Sequence, residues 1–231
     1  MKLYKHLFFD LDRTIWDFEK NSSETLSELF VEYDLTERGI DSYQKFTEQY
    51  LFHNEQLWVA YSKDLVDKET LRTHRFHKTF LDFGVNDYEL ALNFSKCYIS
   101  KSPLKTNLEP YAIQALTYLS KKYSLHIITN GFEEVQHIKL ANSGIKDYFL
   151  NVITSDLARS KKPSKKIFHH SLYRAKAKTR ESIMIGDHLE IDVLGAKNAG
   201  LDQVYYNPGN LKHNSDITYE INCLSELMEI L

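Results

Sequence analysis

From about residue 104 the chain alternates between short apolar runs and segments of helical period, and few architectures accept that alternation. "YAIQALTYLSKKY" reads as a helix, "LHIITN" as a strand, "EEVQHIKLANSG" as a helix stopped by Gly144, and "NVITS" as a short strand. "PSKKIFHHSLYRAKA" is a helix with Pro163 suited to its first position. "SIMIGD" then reads as a strand, "EIDVLGAKNAG" as a helix and "QVYYN" as a strand. The strands are continuously apolar rather than alternating, as expected where both faces of a sheet are covered. Strand–helix repetition of this kind builds a parallel α/β sheet. Residues 4–10, "YKHLFFD", supply its first strand.

Between that strand and the rest stands a different kind of text. "NSSETLSELFVEYDL" repeats Leu26, Leu29, Phe30 and Tyr33 at the spacing of one helical face, with Ser22 or Ser23 as its expected cap. "SYQKFTEQYLFHNEQLWVAY" and "KETLRTHRFHKTFLDFG" continue in that style, the latter stopped by Gly84, and "DYELALNFSKCYISK" is the last helical piece before Pro103. The expected fold is therefore α/β: a Rossmann-like parallel sheet core, residues 1–14 and 101–231, with an inserted α-helical cap domain, residues 15–100. A chain of 231 residues is long enough for one domain with such an insertion.

Composition narrows the partners. A formal charge of −3 gives no general affinity for nucleic acid or an anionic membrane, so any polyanion must be held by local groups. No apolar run approaches the roughly 18 to 20 residues that cross a bilayer. The N-terminal "MKLYKHLFFDLD" has a short apolar run ending in acids and no small-residue cleavage site, so it does not read as a signal peptide. Cys97 and Cys223 are far apart and in no metal-like spacing. A reduced, cytoplasmic protein is the expectation.

In open α/β sheets ligands bind at the carboxyl ends of the strands. Strand 1 ends in Asp10 and Asp12, "LHIIT" in Thr129 and Asn130, and "SIMIG" in Asp187; "NVITS" leads through Asp156 into a basic run with Lys161 and Lys162. Residues i and i+2 of a strand face one side, so Asp10 and Asp12 are expected to share one site. Three carboxylates on one rim call for a cation, and hard oxygen donors without Cys or His favour Mg²⁺. Such a metal screens an anionic nucleophile from an anionic phosphate. Lys162 adds positive charge and Thr129 a hydroxyl donor. One carboxylate can then attack phosphorus while the other handles the proton. Taken singly, Asp10 and Asp12 could also be a strand-ending turn, and Asp187 and Asp192 acids favoured at a helix start.

"DLDRT", "IITNG", "KKP" and "IGDHLEID", in this order, resemble the four motifs of haloacid dehalogenase-like phosphatases. The resemblance implies Asp10 as nucleophile and Asp12 as general acid/base. It implies Mg²⁺ on Asp10, Asp187 and the backbone carbonyl of Asp12, supported by Asp192. Thr129, Asn130 and Lys162 would bind phosphate, with Lys161 the rival of Lys162 in an adjacent register. Arg13 departs from the commonest pattern, which has Gly there, a residue that often marks a positive φ. The acid at position 12 speaks against the dehalogenase branch. "TNGF", "KKPSKKIF" and "LWVAYSKDLVDKETLRTHRF" look like the noncanonical pyrimidine 5′-nucleotidases. That likeness implies hydrolysis of nucleoside monophosphates; a sugar phosphate or other small phosphate ester is the alternative substrate, and a silent binding or regulatory protein the alternative outside enzymology.

Trp16, Phe18, Trp58 and Tyr61 are candidates to contact the leaving group, although aromatics at helical spacing are more often core. Arg72 and Arg75 could reach a substrate but read first as surface charges. Lys165 and Lys166 read as a solvated face. His74 and His77 lack a third ligand nearby and are taken as non-metal. No glycines are spaced G-x-G, and Leu201 and Asp202 stand where a P-loop after Gly195 and Gly200 needs Lys and Ser/Thr.

Overall fold

A computed structural model describes residues 4–231. The elements run β1 (His6–Phe9), α1 (Phe18–Glu32), α2 (Tyr43–Ser62), α3 (Lys68–Asp82), α4 (Tyr88–Lys101), α5 (Ala112–Leu119), β2 (Ser124–Thr129), α6 (Glu133–Asn142) and β3 (Phe149–Thr154). They continue with α7 (Ser155–Ala158), α8 (Lys165–Ala175), β4 (Ser182–Gly186), a π-helical turn (Leu189–Val193), α9 (Leu194–Asn198), β5 (Asp202–Tyr206), β6 (Tyr219–Ile221) and α10 (Leu227–Ile230).

The strands form one sheet in the order β3-β2-β1-β4-β5-β6, every neighbouring pair parallel. The apolar runs predicted as strands are its buried centre: Leu7, Phe8, Ile127, Ile128, Ile183, Met184 and Ile185 are all inaccessible to solvent. Phe8, Ile128, Ile153 and Met184 pack with Ile167, Phe168 and Leu172 of α8 and with Ala196 of α9 in one core cluster. The strand order reverses between β1 and β4, and in open α/β sheets ligands bind outside the carboxyl ends of the strands at such a switch point.

Contacts divide the chain into two compact units, residues 1–18 with 106–231 and residues 19–105. The sheet unit keeps Trp16 and Phe18 because Trp16 is wholly buried and bridges Leu108. The helical unit has its own core, in which Leu26, Leu29, Phe46, Tyr50, Phe76, Phe80 and Phe94 come from all four of its helices.

Two local readings change, and one strand is added. α1 begins at Phe18, so Ser22 and Ser23 lie inside it; Ser22 is buried and accepts from the Tyr98 hydroxyl at 2.9 Å. Pro163 precedes the N-cap of α8, where the Ser164 side chain accepts from the Lys166 N–H at 3.3 Å. β6 has three residues and exists through its pairing with β5, which no local pattern announces.

One buried histidine makes the sheet acid-sensitive. His126 of β2 accepts from the Asn151 amide at 3.0 Å, so its other ring nitrogen donates to His6 at 3.2 Å. Burial, and then neighbouring His6, pull His126 down to about 4. The unfolded chain, titrating near 6.5, takes up the proton first, so stability present at neutral pH is lost as pH falls from about 6.5 towards 4. Between pH 7 and 5 the expected loss is roughly 2 kcal/mol. Urea unfolding at the two pH values checks it, and His126→Gln should remove most of the difference.

Candidate active site

β1 carries Phe9 into the middle of the sheet, level with Ile127 of β2 and Ile185 of β4. Asp10 extends that register by one step, its N–H donating to the Ile185 carbonyl at 2.9 Å. The chain then folds back sharply. The N–H groups of Thr14, Ile15 and Trp16 all donate to the Leu11 carbonyl, at 3.4, 2.9 and 2.9 Å. Arg13 lies at φ +63°, in the left-handed region, which costs a non-glycine residue about 1 kcal/mol. Its N–H donates to the Trp16 carbonyl at 2.9 Å, and its guanidinium carbon lies 4.4 Å from the centre of the Phe18 ring. Arg13 thus keeps the backbone geometry that Gly would supply, held by these two contacts.

The strand parity expected for Asp10 and Asp12 does not carry through, because β1 ends at Phe9, Asp10 stands one step past it and Asp12 lies where the chain folds back. Their side chains take different partners. Asp10 is buried and accepts from the Lys162 ammonium at 2.5 Å. Asp12, half-buried, has one carboxylate oxygen paired with the Lys139 ammonium; the other accepts from the Gln136 amide at 2.9 Å.

Asp187 follows Gly186 at the end of β4 and accepts from the Thr14 hydroxyl at 3.1 Å. Asp192 sits on the π-helical turn, where it accepts from the His188 N–H at 3.2 Å and pairs with Lys162 at 2.6 Å. A Cβ on Gly186 would stand 2.6 Å from the Asp192 carboxylate, so this approach needs glycine. Asp10, Asp187 and Asp192 each offer an oxygen within 4.8 Å of the others. Asp192, expected to support a metal indirectly, therefore has its own carboxylate in the cluster.

The electrostatics of the cluster fit a hard divalent cation. Burial pushes the Asp10 carboxyl up to about 7, opposed by Lys162 and reinforced by Asp192 and Asp12. Burial, then Asp192 and Asp10, pushes Asp187 well above the usual carboxylate range. Burial alone would lower the Lys162 ammonium, but Asp10 and Asp192 more than reverse that and hold it charged. One ammonium among three carboxylates leaves negative charge over, and oxygen donors without sulfur or imidazole suit Mg²⁺.

The other candidates divide. Thr129 is buried at the end of β2, its hydroxyl oxygen accepting from the Gly131 N–H at 3.0 Å and from Gln136 at 3.3 Å. Asn130 turns its amide to the backbone of Lys162: it accepts from the Lys162 N–H at 2.7 Å and donates to the Lys162 carbonyl at 3.0 Å. Its side chain thus sets the position of Lys162. Lys162 is 2% exposed, whereas Lys161 is half-buried and Lys165 and Lys166 are exposed.

Trp16 is 0% exposed and has the Lys139 ammonium 4.0 Å over its ring, so it presents no free face to a base, and the stacking expected of it is revised. Phe18 lies under Arg13. In the helical unit Trp58 is half-buried and stands edge-on to buried Tyr61 with centroids 5.7 Å apart. Arg75, read first as a surface charge, is buried and donates to Asn54 at 3.0 Å and to the Tyr50 hydroxyl at 3.4 Å. His74 and His77 both pack edge-on against Tyr88. Gln136 and Lys139 went unremarked in the sequence. Their signal was an amide and an amine three apart on α6, one residue ahead of apolar Leu140, all three buried.

The profile of haloacid dehalogenase-like hydrolases matches residues 7–205. The chain is 29% identical to pyrimidine 5′-nucleotidase PynA of Streptococcus pneumoniae over 233 residues, 99% of this chain and 95% of that one. It is equally 29% identical to pyrimidine 5′-nucleotidase YjjG of Escherichia coli over 228 residues, 97% of this chain and 96% of that one. The crystal structure of the HAD-hydrolase YfnB of Bacillus subtilis, bound to magnesium, superposes with a TM-score of 0.90 at 27% identity, covering 99% of both chains. The chain belongs to the haloacid dehalogenase-like hydrolases and resembles their pyrimidine 5′-nucleotidases.

Proposed function

We propose that this hydrolase is a Mg²⁺-dependent phosphomonoesterase acting on pyrimidine nucleoside 5′-monophosphates through an aspartyl-phosphate. The observation that carries the reading is Asp10, buried at the end of a central strand, bonded to Lys162 and ringed by Asp187 and Asp192. Near full-length similarity to two pyrimidine 5′-nucleotidases supports the substrate class.

Asp10, Asp187, Asp192 and the backbone carbonyl of Asp12 would hold the metal. Bound there, Mg²⁺ supplies positive charge that lowers the repulsion between carboxylate and phosphate. The chain's own groups do the rest. A carboxylate oxygen of Asp10 attacks phosphorus, and the bond from phosphorus to the ester oxygen breaks. Asp12 gives its proton to that departing oxygen. In the second half-reaction Asp12 takes a proton from water, the water oxygen bonds to phosphorus, and the bond to Asp10 breaks, returning the free carboxylate. Lys162 and the Thr129 hydroxyl stabilise charge on the phosphoryl oxygens. Asn130 fixes the backbone that carries Lys162. The helical unit serves as the cap in this reading, with Phe18, Trp58 and Tyr61 as candidates for leaving-group selection. No helix of the described residues is long and apolar enough to cross a membrane.

The test is phosphate release, with and without Mg²⁺, from UMP, dUMP, dTMP, CMP, AMP, GMP and several sugar phosphates. Preference for the pyrimidine monophosphates by at least about tenfold in kcat/KM is expected, and chelation should abolish turnover. Preference for sugar phosphates would keep the chemistry and replace the substrate. Metal-independent turnover would overturn the role given to the carboxylate cluster.

A further inference from the structure

We infer that Lys139 and Gln136, on one face of α6, are the positioning residues of Asp12: they fix its carboxylate for proton transfer to the leaving oxygen. The inference rests on the phosphatase reading above. Each Asp12 oxygen has its own donor, Lys139 on one and the Gln136 amide at 2.9 Å on the other. A carboxylate so gripped has one orientation, yet each oxygen can still form a second hydrogen bond.

Both donors are themselves held. Lys139 is 6% exposed, with its ammonium 4.0 Å over the buried Trp16 ring. A desolvated cation is attracted to an indole face, so Trp16 acts as the platform under Lys139. Gln136 is 1% exposed, and its amide nitrogen also donates to the Thr129 hydroxyl at 3.3 Å. It reaches that place because residue 131 is glycine: a Cβ on Gly131 would stand 1.5 Å from the Gln136 nitrogen. The turn that carries Asp12 also carries Trp16, and the segment that carries Thr129 also carries Gly131. The α6 pair therefore joins the ends of β1 and β2 around Asp12. An exposed salt bridge holds little; here the Lys139 end is buried while Asp12 is half-buried, so loss of the Lys139 ammonium removes one of the two donors that fix Asp12.

Need for a proton at the leaving oxygen depends on that oxygen. An alkoxide leaves poorly without one, whereas a dinitrophenolate leaves unaided. The experiment compares kcat/KM, which reports the first chemical step, for an alkyl ester and for 2,4-dinitrophenyl phosphate. The alkyl ester is whichever member of the nucleotide and sugar phosphate panel the wild-type enzyme hydrolyses fastest. Lys139→Met should lose about a hundredfold on the alkyl ester and less than about fivefold on the aryl ester. Lys139→Arg should recover most of the alkyl activity, and Gln136→Leu should repeat the split in smaller measure. Circular dichroism establishes folding, and if Lys139→Met does not fold, Gln136→Leu carries the comparison. Equal losses on both esters, or a gain on the alkyl ester, overturn the assignment. A wild-type enzyme that cleaves the aryl ester and sugar phosphates but no nucleotide overturns only the nucleotidase reading and leaves this test intact. Hydrolysis of neither ester class overturns both.

Discussion

Asp10→Asn is expected to lower kcat by about 10⁴-fold or more while the protein stays folded. The nucleophile in this reading must be an oxygen anion held at a fixed place, and among the described residues Asp10 alone combines the central-strand register, the Lys162 contact and membership of the carboxylate cluster. An amide oxygen in that place carries no charge to attack with, so the covalent step is lost even where substrate still binds. Phosphate release from the preferred substrate measures the loss. Quenching the wild-type reaction in acid and probing for phosphorylated protein measures the intermediate, which should be absent in the variant. Retention of even a tenth of wild-type turnover in Asp10→Asn would sink the assignment of nucleophile.

The second large effect is on stability. Lys162→Met should destabilise the metal-free protein by about 3–5 kcal/mol and remove most activity. The Lys162 ammonium, 2% exposed, is shared by Asp10 at 2.5 Å and Asp192 at 2.6 Å. Removing it strands two carboxylates away from water, and a stranded buried charge costs more than a lost pair. The pH dependence follows from Asp10, whose pKa is pushed up to about 7 by burial, with Lys162 pulling the other way. Without Lys162 that pKa rises further, and ionised Asp10 is penalised most above neutrality. Lys162→Met should therefore lose more stability at pH 8 than at pH 6, where Asp10 takes up a proton. Urea unfolding at both pH values reads the difference, and added Mg²⁺ should restore part of it. Lys161→Met, one position away and half-buried, should cost less than about 1 kcal/mol. Reversal of the two results would move the phosphate-binding assignment to Lys161.

Much of this arrangement was legible in the sequence because it is local. Short continuous apolar runs such as "LFF", "HIIT" and "IMIG" read as strands covered on both faces, and the helical segments between them make the sheet parallel. A parallel sheet gathers its strand ends on one rim, which is why Asp10, Thr129 and Asp187 could be placed together there as candidates. The helical insertion was equally legible, from the change of period after β1.

What the sequence could not determine is which side chain meets which. Asp10 and Asp12 are two residues apart, yet one binds Lys162 and the other Lys139, because β1 stops at Phe9 and a turn has no two-residue parity. Asn130 pairs its amide with the backbone of a residue 32 positions away, a partner that no local pattern names. Trp16 looked like a stacking surface and instead lies buried under Lys139. Arg75 looked solvated and lies buried beside Asn54 and Tyr50. In each case the deciding partner comes from a distant part of the chain. Periodicity reports which face of an element is buried. It carries nothing about which polar groups are buried together, and those pairings are set when helices and strands pack and every buried donor must find an acceptor.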